Sequence, residues 1–191
     1  MLHLFDVLRR RKMAATHGFY EEVSKDFRVG LTDIDLNLHL NNAKYLKYMD
    51  LARLEHMLAT GTLWKMIPVN ARPIIANTEI SYVRELRTWQ RFAISARILG
   101  VDEKYMYYEH RFTSEGKLCT HALLRLVCVQ KGKSQPIPAM LDFLGVTEPA
   151  PALPEPVLLW KDMLDAKKKF SLGHQKPIDS RNIGEQHKDV A

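Results

Sequence analysis

Eleven residues carry most of the chemistry this chain advertises. The stretch "TDIDLNLHLNN", Thr32 to Asn42, gathers two aspartates, three asparagines and a histidine between leucines. Carboxylates at this density can ligate a metal, attack a carbonyl, activate a water, or fold the loop that holds them. A calcium site is the first test. Asp33, Asp35 and Asn37 fall at loop positions one, three and five of an EF-hand. Position six needs glycine and has Leu38; position twelve needs a bidentate glutamate and has Lys44, a cation facing the metal. Nothing upstream reads as an entering amphipathic helix, so calcium is excluded, and no other metal set is read. Two readings stay open on the residues alone. One is an acid–base or nucleophilic loop; the other is an Asx-rich turn whose side chains bond nearby N–H groups.

The elements that must position this loop can be read from the periodicity. "FYEEVSKDFRV" before it has the period-two character of a strand. "NNAKYLKYMDLARLEHMLATG" after it reads as a helix from Ala43 to Ala59, capped by Asn41 or Asn42, with Gly61 just past its end. Its apolar residues cover more than one stripe, which predicts burial on most sides. Past Pro73 the period returns to two. "PIIANTEISYVREL", "RFAISARILGV", "KYMYYEHRFTS" and "KLCTHALLRLVCVQ" read as four strands, with "VDEK", "SEGK" and "KGK" as turns. Helix and strands are segregated, which predicts an α+β fold with an antiparallel sheet of about five strands on one long helix. "PIPAMLDFLGVTEPAPALPEP" is proline-rich and is expected to be irregular. "PVLLWKDMLDAKKKF" reads as a short amphipathic helix, and the polar end, with His174 and His187, as a mobile tail. The expected division is an N-terminal amphipathic extension over 1–17, a core domain over 18–145 and a C-terminal extension over 146–191.

Composition narrows the function classes. The chain has 191 residues, 46% of them hydrophobic, and no apolar run approaches the ~20 residues of a membrane span. The apolar part of "MLHLFDVLRRRKMAATHGF" is too short for a secretory signal core, and its basic run follows it. A short amphipathic helix is expected there, with membrane-surface contact as an alternative. Cys119 and Cys128 lie nine residues apart on one predicted strand, beyond disulfide reach, which suits a reducing cytoplasm. The net charge of +6 favours an anionic partner. No helix-turn-helix, zinc-finger or RNP pattern accompanies it, so no nucleic-acid partner is expected.

Loop and element order together resemble a known family. The chain is similar to the hotdog-fold acyl-CoA thioesterases of the 4-hydroxybenzoyl-CoA thioesterase type, in their thioesterase-like branch. Their loop reads D-x-D-x-x-G-H-V-N-N before a helix beginning near a tyrosine. The matching residues are Asp33, Asp35, His39, Asn41 and Asn42, then Tyr45. "YLKYMDLAR" resembles the family's buried helix, and "ISYVRELRTWQRFAISARILGVDEKYMYYEHRF" its sheet. The likeness spans roughly residues 18 to 145. Leu38 departs from the loop glycine and Leu40 from the valine.

The resemblance implies hydrolysis of an acyl-CoA thioester, a place in fatty acid metabolism, and a homodimer or dimer of dimers joined through sheet edges. No cofactor is implied, since coenzyme A is part of the substrate. Asp35 is implied as the catalytic carboxylate, with Asp33 ordering the loop. The Asn42 N–H at the helix start is implied as the oxyanion donor. His39 is expected either to orient the loop, to touch the thioester, or to bond the loop backbone. Asn41 and Tyr45 are substrate-contact candidates, with Asn41 a cap first. Arg84 and Arg87 are candidates for the coenzyme A phosphates, or solvated edge arginines. Two rivals share the fold. A hotdog hydratase carries D-x-N-P-x-H, with a spacing of five and a proline, whereas Asp35 to His39 is four and lacks it. The other rival is a non-catalytic acyl-CoA or lipid binder.

Overall fold

A computed structural model of the chain describes residues 15–173. The expected N-terminal helix around Arg9 to Lys12, and the tail with His174 and His187, lie outside the described residues. Two compact units divide the chain, one ending at Leu153 and one beginning at Pro154.

The first unit holds β1 (Val23–Arg28), α1 (Asn42–Ala59), α2 (Thr62–Met66), β2 (Ala71–Tyr82) and β3 (Arg91–Val101). It continues through β4 (Met106–Ser114), β5 (Lys117–Gln130), β6 (Lys133–Gln135) and α3 (Ile137–Leu144). All strand pairs are antiparallel, in the order β1-β3-β4-β5-β2, with β6 added beside β5. The second unit is α4 (Glu155–Gly173), which covers the amphipathic stretch expected there.

Alternation positions the sheet. On β3, Phe92, Ile94, Ala96 and Ile98 are buried on one face, as a period of two requires. α1 packs on β1 and β3. It presents Tyr45, Tyr48, Met49, Ala52 and His56, spaced three, one, three and four residues apart, which is one helical stripe. The Tyr48 ring meets Phe27 and Phe92 edge-on at 5.1 and 5.2 Å, and Tyr45 meets Phe112 at 5.1 Å. Of these rings, Tyr45, Tyr48, Phe92 and Phe112 are buried, and a fully buried large side chain contributes roughly 1.5–3 kcal/mol over leaving it exposed.

The helix therefore corrects the expectation of burial on most sides. Its buried stripe is single, and Leu46 is 43% exposed. Two further corrections concern the sheet and the proline-rich segment. A sixth strand, β6, folds back through a hairpin whose two turn residues, Lys131 and Gly132, have φ of 49° and 75°. That is the left-handed pair a two-residue hairpin favours. "IPAMLDFL" is a helix, α3, because its prolines stand at the N-cap and first turn, where a missing N–H removes no helical bond. Gly145 closes it at φ 69°.

Among the described residues, β2 has a strand neighbour on one side only, and its Ile74, Ile75 and Tyr82 are exposed. No helix among the described residues is long and apolar enough to cross a membrane.

Candidate active site

The polar loop runs between β1 and α1, and its two aspartates do different things. Asp33 is 6% exposed. Its Oδ2 accepts from the Tyr48 hydroxyl at 2.7 Å and from the Gly30 N–H at 3.2 Å. Lys47 and Lys44 approach its Oδ1 at 3.6 and 3.9 Å, and its carbonyl accepts from the Asn41 N–H at 2.9 Å. Burial alone would raise the Asp33 carboxyl. The Tyr48 hydroxyl, the Gly30 N–H and the two lysines outweigh burial and hold it below the ordinary value. Asp33 thus ties the loop to α1 at both ends of the residue.

Asp35 is half-buried. Its Oδ1 accepts from the Asn37 N–H at 2.9 Å and, more weakly, from the His39 N–H at 3.4 Å. Its own N–H donates to the His39 carbonyl at 3.0 Å. This is the Asx-turn geometry. Its Oδ2 accepts from no described residue, so the side chain builds the turn with one oxygen and keeps the other open.

Leu38 has φ of 61°, where an L side chain is strained. This is the position at which the family's loop carries glycine. The strain is held from outside. The Leu38 carbonyl accepts from the Thr88 N–H at 3.2 Å and the Thr88 hydroxyl at 2.9 Å. On either side, His39 bridges to Arg87, and the Leu40 N–H donates to the Leu86 carbonyl at 2.7 Å. The segment leaving β2 therefore acts as a short template for the loop.

α1 opens on this loop. Asn41 caps it, its Oδ1 accepting from the Ala43 N–H at 2.9 Å. Asn42 is the first helical residue, and its N–H donates to no described residue, as a helix start dictates. Asp35, Asn37, His39, Leu40, Asn42, Tyr45, Tyr82, Val83, Arg84 and Glu85 line one cavity of ≈ 330 Å³. That is within the range of small-ligand sites. A larger hollow of ≈ 630 Å³ lies by β1, β3 and the β4–β5 turn, lined by residues such as Asp26, Arg91 and Glu115. Size does not decide between them. Only the smaller one joins an open carboxylate oxygen to an unpartnered helix N-terminus.

Five of the predicted residues, Asp35, His39, Asn42, Tyr45 and Arg84, thus come together. Arg87 lines a neighbouring ≈ 330 Å³ hollow with Asn37, Leu38, His39 and Thr88. Asn41 spends its side-chain oxygen on the cap. Tyr45 is 3% exposed and packs edge-on against Tyr82 at 5.0 Å; burial raises both phenols, which stay protonated at neutral pH. The arginines are partly engaged. Arg84 Nη1 donates to the Leu118 carbonyl at 2.7 Å, and Arg87 Nε to Glu85 at 2.7 Å. Sequence reasoning missed Tyr82, Val83, Glu85 and Thr88. They sit more than forty residues after the loop, and only the fold of β2 and its exit brings them back; no local spacing signals that. Among the described residues, no group of three or more His, Cys, Asp or Glu side chains is arranged to hold a metal ion.

One helix lying on an antiparallel sheet, with a polar loop at its N-terminus, is the hotdog architecture of thioesterase-like proteins. The sequence profile of the thioesterase-like superfamily matches residues 29–155, and the chain belongs to that family. Protein THEM6 of Xenopus laevis is 33% identical over 108 residues, covering 56% of this chain and 52% of its own length. The chain spans about half the length of that protein and of its Danio rerio counterpart. The probable thioesterase YbaW of Escherichia coli superposes with a TM-score of 0.59 at 21% identity, over 63% of this chain and 95% of its own. A Thermus thermophilus thioesterase, solved with coenzyme A and zinc, gives a TM-score of 0.53 at 26% identity, over 62% and 95%.

Proposed function

We propose that this chain hydrolyses an acyl-CoA thioester to a free acid and coenzyme A. The observation that carries the reading is the pairing, in one cavity, of the open Asp35 Oδ2 with the free N–H of Asn42. Membership of the thioesterase-like superfamily supports the reaction class, and the coenzyme A bound by the Thermus relative supports the thiol.

The chemistry follows from charge. Asp35 either attacks the thioester carbon or takes a proton from the water that does. The carbonyl oxygen becomes negative and accepts from the Asn42 N–H, at the positive end of an 18-residue helix. The C–S bond then breaks and the sulfur leaves as thiol once protonated. Water supplies the hydroxyl of the acid in either route. A guanidinium has five N–H donors, more than the contacts of Arg84 or Arg87 use, so both keep donors for the coenzyme A phosphates. Tyr45 and Tyr82 would flank the acyl group. The open edge of β2, with its exposed isoleucines, would pair with a second copy and seal the cavity.

A panel of acyl-CoAs with thiol detection tests the reading. Saturable thiol release from at least one member is expected. Binding without release would favour the non-catalytic binder, and loss of enoyl-CoA absorbance without release would favour the hydratase.

A further inference from the structure

Glu85 is a carboxylate in the wall of a cavity assigned to an anionic ligand. Alone it would repel phosphates. Its contacts explain how it is tolerated. Oε1 accepts from Arg87, by Nε at 2.7 Å and also by Nη2, while Oε2 lies 3.1 Å from His39 Nε2. Arg87, the first cause, and His39 hold the Glu85 carboxyl below its ordinary value.

His39 is held just as firmly as Glu85. Its backbone is locked on both sides, to Asp35 within the loop and to Arg87 across from it. Its ring can therefore choose only rotation and proton placement, and Glu85 decides both. A carboxylate accepts only, so the nitrogen facing it must carry a hydrogen.

We infer that Glu85 is a positioning residue that holds His39 with a proton on Nε2, directed at the Glu85 carboxylate and so withheld from substrate. Arg87 keeps Glu85 in place rather than serving the substrate alone. Nε2 is then not a general base, and any contact of the His39 ring with substrate falls to Nδ1. The groups facing His39 are Asp35 in its own loop, Glu85, Arg84 and Arg87 from the segment after β2, and the phenols of Tyr45 and Tyr82 in the same cavity. Of these, Asp35 and Glu85 are the anions; Glu85 is the one in contact with the ring.

The inference rests on the proposed site but is tested without substrate. The full chain carrying 15N-labelled histidine is titrated by NMR, the His39 signals being assigned by their loss in His39→Gln. The neutral parent should show the Nε2–H form. Glu85→Gln, whose amide can accept from or donate to the ring, should leave a mixture of the Nε2–H and Nδ1–H forms. Glu85→Ala should raise the share of the Nδ1–H form. An unchanged proton position in both variants would overturn the inference, whatever the activity panel shows. Failure of every acyl-CoA would overturn the hydrolase reading and leave this result standing.

Discussion

The loop before α1 has two halves, and they are built by opposite rules. In residues 30–34 the carboxylate of Asp33 is buried, one oxygen bonded to the Tyr48 hydroxyl and the Gly30 N–H, the other facing two lysines. In residues 35–39 the carboxylate is half-buried, one oxygen is open, and the leucine at the turn is in a left-handed conformation. The first half looks like a structural joint. The second half departs from local preference and is held there by Thr88 and Arg87 on another segment. Unmet polar capacity and local strain, held from outside, are the marks of a functional position.

The largest effect that could break this contrast comes from Asn42. Proline is well suited to the first helical position, and Asn41 already has the extended φ and ψ, −61° and 135°, that a following proline requires. Asn42→Pro therefore removes one N–H while keeping α1. Thiol release should fall by about 10²–10³-fold, the scale of losing an oxyanion donor, with an unchanged circular-dichroism melt. Wild-type turnover in this variant would remove the helix start from the mechanism.

A smaller effect separates the aspartates by stability. Asp33→Ala leaves the Tyr48 hydroxyl and the Gly30 N–H without their shared acceptor. Unfolding in urea should show a loss of about 2–3 kcal/mol. The same residue predicts a pH dependence. Its folded carboxyl lies below its unfolded value, so its contribution is fully present above about pH 4 and is lost as pH falls through the depressed value. Melting temperatures of Asp33→Asn should therefore fall less steeply than the parent's below about pH 4. Equal slopes would mean that the lysines and Tyr48 do not favour the charged form.

The smallest effect concerns the strained turn. Leu38 is 63% exposed, so removing its side chain loses little packing. Leu38→Gly relieves the left-handed strain but gives the unfolded chain more freedom. The balance should be a gain of about 0.5–1 kcal/mol in urea unfolding. A loss would show that Leu38 packs on a surface in solution, for which a second copy across the open cavity is the first candidate.

What the sequence made legible follows the range of the signal. α1, a cap at Asn41 or Asn42, and Gly61 were readable because helix periodicity and capping act within a few residues; the structure puts the cap on Asn41. β3 and β5 matched their predicted spans for the same reason, alternation bounded by turns. The polar loop was readable only through its pattern of residue types; the Asx turn and the open oxygen of Asp35 are two faces of one side chain. β6 and α3 were missed because three residues carry no period and because proline inside a first turn looks like a helix breaker when its position is unknown. Glu85 and Thr88 were not legible at all. Their contacts with His39 and Leu38 span about fifty residues and exist only once β2 has paired with β5.

The central claim is that Asp35 supplies a charged oxygen to chemistry while Asp33 supplies order. It is tested by measuring thiol release and thermal melting for the parent, Asp35→Asn and Asp33→Asn on the best acyl-CoA found. Asparagine keeps an oxygen for the Asn37 and His39 N–H groups, so Asp35→Asn should melt with the parent. Its kcat should fall by roughly two or more orders of magnitude, with substrate still bound. Asp33→Asn should lose stability at least as much as rate. Hydrolysis by Asp35→Asn at the parent rate would contradict the account and leave the loop an Asx turn without a catalytic carboxylate.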